Sequence, residues 1–133
     1  MTYLRTKLVR VLTAYFGADD RRIEHALRVL HHADRTVGDH PGCDPDVVIA
    51  AALLHDVGIK VSEDKHGHNT GSTQEQYGPP VAAELLGAIS FPPQKIKVVT
   101  DIIGNHHSPS RFDYPELVVL KKADLIVNRD EKV

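Results

Sequence analysis

The sequence predicts an all-α protein, with residues 1–133 forming a single compact domain of about six helices. Three observations carry this. Apolar residues recur at helical spacing in nearly every segment, no segment alternates clearly with period two, and proline, glycine and aspartate stand where helices start or stop. The chain has 133 residues, enough for one sizeable core, and its 41% hydrophobic and 26% charged residues are those of an ordinary globular protein. There is no internal repeat and no linker.

In the first helix Leu4, Leu8, Val11, Leu12, Tyr15 and Phe16 share a face, and Gly17 stops it. Asp19 or Asp20 caps the second, whose stripe is Ile23, Ala26, Leu27, Leu30 and Val37. Gly38 and the loop HPGCDP end it. Asp44-Pro45 starts a third helix, a cap followed by proline at the first helical position, running to about His55. Residues 61–78 are polar and rich in Gly, Ser and Thr, so they are expected to be mostly loop, long enough to be functional or mobile. Pro79-Pro80 then opens a short helix through Leu85 and Leu86. FPPQ begins another, with Ile96, Val99, Ile102, Ile103 and His106 in register. Tyr114-Pro115-Glu116 starts a last one reaching Asn128.

The net charge of −2, with acids and bases interspersed, offers no footprint for duplex nucleic acid or an anionic membrane. No apolar run reaches the roughly 20 residues of a membrane span. The amino terminus carries charges throughout and does not read as a signal peptide, so the cytoplasm is the expected compartment. The single cysteine, Cys43, excludes an internal disulfide and a cysteine zinc cluster, and is expected to be a loop residue. Apolar residues of the first helix suit either a monomer's core or a homodimer.

Histidine stands out: nine residues, against three Phe, four Tyr and no Trp. His25 lies on the second helix, in IEHALRVL. His55 and Asp56 end the apolar AALLHDVGIK stretch, where an ionised carboxylate needs a partner. His106 and His107 end the fifth helix, and Asp124 lies inside the last. His25, His55, Asp56 and Asp124 together offer two imidazoles and two carboxylates, a set suited to a divalent ion with open positions. The competing reading makes His25 and Asp124 a partly buried ion pair, with His55 and Asp56 merely closing a helix. Adjacent helical residues point about 100° apart, so His55 and Asp56 converge only at a tightened or frayed last turn, for which Gly58 supplies the freedom.

The order His25, His55-Asp56, Asp124, with EHALRVL, AALLHDVGIK, IIGNHHSP and ADLIVN around it, resembles the HD-domain superfamily of metal-dependent phosphohydrolases, over essentially residues 20–128. The small single-domain bacterial members are most similar, with a stretch like QEQYGPPVAAELL between the HD pair and the histidine pair. The resemblance implies an HD-like all-α fold and His25, His55, Asp56 and Asp124 as ligands of one divalent ion (Mn, Fe, Co, Ni or Mg). It also implies hydrolysis of a small phosphate ester, such as a nucleotide, by attack of metal-bound water. Asp56 would orient or deprotonate that water.

Lys60 is a candidate for the substrate phosphate. His106 is favoured over His107 as a catalytic group, and His68, His106 and His107 are candidates for a second metal or for substrate. His66 or His68 would otherwise be solvated. His31, His32 and His40 are expected at the surface or in packing, and Arg111 at the surface. Where some HD nucleotidases place a glutamate acid three positions after the HD aspartate, this chain has Ile59, and the loop offers Glu63 or Asp64 instead. Within the enzyme class, nucleotide pyrophosphohydrolase or cyclic-nucleotide phosphodiesterase are the alternatives. A non-catalytic metal- and nucleotide-binding module is the alternative outside it.

Overall fold

The computed structural model describes residues 2–131. Among them there are seven α-helices, one 3-10 turn and no strand: α1 Thr2–Phe16, α2 Asp20–Thr36, the turn Val37–Asp39, α3 Pro45–Leu54, α4 Gly58–His66, α5 Gly71–Ala88, α6 Pro93–Ile103 and α7 Pro115–Glu131. The all-α expectation holds. The chain divides into two compact units, Met1–Leu53 with Tyr114–Val133, and Leu54–Asp113.

In the first unit α2 packs against α7 and α1. Asp19 caps α2, accepting the Arg22 amide at 3.3 Å, which satisfies one of the orphan donors of the first turn. The buried stripe of α2 is Ala26, Val29, Leu30 and Ala33, at i, i+3, i+4 and i+7. Leu27, expected inside, is 39% exposed because it lies about 100° round from Ala26. Leu8 and Leu12 of α1 are fully buried, and Arg5 clasps Asp34 of α2 through two bonds of 2.6 and 2.9 Å. At the start of α3, Asp44 accepts the Asp46 amide at 3.0 Å. Residues 47–54 are buried without a break, so α3 is apolar all round. Buried Glu116, in the first turn of α7, accepts the Asp44 amide at 2.7 Å and ties the two helix starts together.

In the second unit α5 packs against both α4 and α6. Here the expected loop is corrected: residues 61–78 are mostly helical. α4 ends at Gly67, which takes a left-handed φ of +76° and returns its amide to Glu63 O. α5 begins eight residues before Pro79, because Thr70 and Thr73 form a reciprocal capping box, each side chain accepting the other's amide. Pro79 and Pro80 therefore sit inside α5 rather than opening it. The segment's polarity hid both helices, since helical propensity and caps operate without an apolar run.

The chain leaves α5 through Ser90, the only non-glycine residue with positive φ (+60°) among those described. A side chain in this conformation costs about 1 kcal/mol or more that glycine does not incur. Ser90→Gly is therefore expected to stabilise the protein by about 0.5–1 kcal/mol, read as a higher thermal midpoint. An unchanged or lower midpoint would refute the strain.

Candidate metal centre

α3 stops at Leu54, and the chain turns at His55-Asp56-Val57 before α4, with Val57 and Ile59 amides bonded to Leu54 O and Asp56 O. The turn needs no left-handed glycine: among the described glycines only Gly17, Gly42 and Gly67 have positive φ. Gly58 serves instead a close helix contact, since an added Cβ there would meet Gly78 N at 2.6 Å and Gln74 O at 2.8 Å.

In the second unit this turn meets the end of α6. His55 is fully buried, with Nε2 3.3 Å from Asp56 Oδ2. His106 Nε2 lies 3.8 Å from Asp56 Oδ1, and its ring stands edge-on to His55 with centroids 5.4 Å apart. Burial by itself pushes the Asp56 carboxyl up. The charge available on His55 and the contact with His106 outweigh it and hold the group well below the ordinary carboxylate range. Asp56, His106 and His107 each bring one ligand atom within 4.8 Å of the others, a cluster that could hold a metal ion.

The histidine tautomers can be read from their partners. Only a protonated Nδ1 can donate to a carbonyl, and His106 Nδ1 lies 2.6 Å from Ile103 O. In the neutral ring Nε2 therefore carries the lone pair, buried and with no hydrogen-bond partner. Such an orphaned buried acceptor is what a metal ligand looks like before the ion is added, since buried polar atoms are otherwise satisfied.

In the first unit α2 and α7 bring His25 and Asp124 together, Nε2 to Oδ1 at 3.2 Å. His25 Nδ1 faces Glu131 at 3.0 and 3.1 Å. Both ring nitrogens thus face carboxylate oxygens, while a neutral imidazole has one proton. A proton on each nitrogen would satisfy both contacts, as would a cation held by Nε2 and Asp124, and these donor types suit a divalent ion. Sequence reasoning missed Glu131, although it stands seven residues, two turns, after Asp124 and so on the same face. Arg21, Glu24, Arg28 and Glu131 line a cleft of about 520 Å³ there. Glu131→Ala is expected to weaken binding of Mn²⁺ about 10- to 100-fold by calorimetry, because it releases the ring orientation of His25. Unaltered affinity would show that the carboxylate does not orient a ligand.

The other candidates fall as follows. His107 has an exposed residue surface, yet its Nε2 contacts Gln74 at 2.5 Å and its amide donates to Glu75 at 2.9 Å. Gln74 and Glu75 were not singled out in the sequence, for nothing local links them to residue 107. Lys60 is exposed on the first turn of α4. His68 lies outside the Asp56–His106–His107 group and stacks on His66, which bonds Tyr77. Ile59 is buried, and Glu63 accepts from Asn69 at 2.9 Å. Arg111 is exposed. Partial burial, then the Glu116 carboxylate, push the Cys43 thiol up, opposite to an activated nucleophile.

Residues 22–129 match the model of the HD domain family, and the chain belongs to that family. Its fold is similar to the crystal structure of a predicted HD superfamily hydrolase from an uncultured Thermotogales bacterium, with a TM-score of 0.69 and 23% identity over 96% of this chain and 74% of that one. No curated protein matches the chain. None of the described helices is long and apolar enough to cross a membrane.

Proposed function

We propose that the chain is a metal-dependent phosphohydrolase acting on a small phosphate ester, with nucleotides as the first substrate class to try, and that residues 1–133 work as one HD-type domain. One divalent ion would take His25, His55, Asp56 and Asp124. The observation that carries this is the placement of the candidate donors: His55 Nε2 lies 3.3 Å from Asp56 Oδ2, and His25 is held between the Asp124 and Glu131 carboxylates. The family membership and a structural neighbour described as a predicted hydrolase support it.

A bound divalent ion would polarise a phosphoryl oxygen and make water more acidic. Asp56 would orient that water or accept its proton. His106 Nε2, with its lone pair, would accept a hydrogen bond from the same water. Lys60 would be the cation offered to the phosphate.

Elemental analysis of protein purified without added metal, beside His55→Ala and Asp124→Ala, tests the ligand set. About one equivalent in the wild type, lost in both variants, is expected. Absence of metal even after incubation with Mn²⁺ or Fe²⁺ would end the hydrolase reading and leave a nucleotide-binding module.

A further inference from the structure

A carboxylate only accepts hydrogen bonds, so a chain of side-chain bonds that ends on one acquires a direction. The second unit contains such a chain. Asn69 Nδ2 donates to Glu63 Oε2 at 2.9 Å, Gln74 Nε2 donates to Asn69 Oδ1 at 2.8 Å, and Gln74 Oε1 faces His107 Nε2 at 2.5 Å. Asn69 must turn its NH₂ to Glu63 and therefore its oxygen to Gln74. Gln74 must then turn its NH₂ to Asn69 and its oxygen to His107. Reversing either amide would set like groups face to face. Gln74 is buried, so a reversed amide there would leave polar groups unsatisfied away from water.

We infer that Glu63 sets, through Asn69 and Gln74, which nitrogen of His107 carries the proton: Nε2 is protonated and Nδ1 holds the lone pair. The neighbouring His106 is set the other way by Ile103 O, with its lone pair on Nε2. Two rings only 4.0 Å apart thus offer different nitrogens. α5 grips the same turn a second time, because Glu75 accepts the His107 amide at 2.9 Å and the Ser108 hydroxyl at 2.6 Å. Glu63 is accordingly a positioning residue, acting through two side chains on a member of the Asp56–His106–His107 group. Its value to catalysis rests on the function proposed above; the tautomer itself does not.

The test is a two-bond ¹H–¹⁵N correlation spectrum of the full ¹⁵N-labelled chain at about pH 8, where an ordinary imidazole is neutral. The wild type is expected to show His107 as the Nε2–H tautomer and His106 as Nδ1–H. In Glu63→Ala and in Asn69→Ala, which cut the chain at different links, His107 is expected to become a mixture of tautomers while His106 keeps its pattern. An Nδ1–H pattern for His107 in the wild type would overturn the inference without any variant. So would a pure Nε2–H pattern in both variants. Activity on an aryl phosphate with Mn²⁺ should fall several-fold in both variants. A tautomer change with no activity in any protein would sink the hydrolase reading and leave the relay standing.

Discussion

Gly58→Ala is expected to destabilise the protein by about 2 kcal/mol and to lower its thermal midpoint by about 8 °C. The added Cβ would lie 2.6 Å from Gly78 N, 2.8 Å from Gln74 O and 2.9 Å from Gly78 Cα. All three obstacles are main-chain atoms of α5, which no rotamer change can clear. Overpacking of this kind costs about 1–3 kcal/mol, and backbone obstacles place it at the upper end. Alanine's better helix propensity returns up to about 1 kcal/mol. At roughly 4 °C per kcal/mol for a chain of this size, the net effect is easily measured. Gly78→Ala should cost less, because its Cβ would meet chiefly the Ile103 Cγ2 methyl at 2.7 Å, a group that can move. Equal midpoints for wild type and Gly58→Ala would show that α4 and α5 are not this close. Metal affinity should fall with stability, since Gly58 stands two residues from Asp56.

The second large effect is chemical. Asp56→Asn is expected to lower kcat/KM on an aryl phosphate at least about 10³-fold, some 4 kcal/mol of transition-state stabilisation. The amide keeps the size of the carboxylate but carries no charge and cannot accept a proton at neutral pH. In the wild type the charge available on His55 and the contact with His106 hold the carboxyl well below its ordinary range, so it is a carboxylate at neutral pH. The fold should tolerate the change, because an amide of the same shape still fills the turn between α3 and α4. A far-ultraviolet spectrum and melting curve like the wild type's therefore separate lost chemistry from lost structure. Retained activity in a folded Asp56→Asn protein would remove Asp56 from the reaction.

Much of this was legible in the sequence, and the reason is local. Helical period, the Asp19 and Asp44 caps and the proline starts of α3, α6 and α7 all depend on residues within a few positions of each other. The HD pair, with His25 before it and Asp124 after it, carried the family, and the family model spans 22–129. The helix over 58–66 and the first two turns of the one over 71–88 were missed because caps built from Thr70, Thr73 and Gly67 lie outside the apolar signal.

What the tertiary structure alone decided is which atoms face each other. Glu131 against His25, Gln74 against His107 and Gly58 against Gly78 join positions 106, 33 and 20 residues apart. By itself the sequence determined the all-α class, the helix faces and the residue types able to bind a cation. Packing determined the direction of each hydrogen bond, and with it the nitrogen that each histidine presents. The physical reason is that periodicity records a residue's side of its own helix. The proton on an imidazole is placed by whichever acceptor the folded chain brings within about 3 Å.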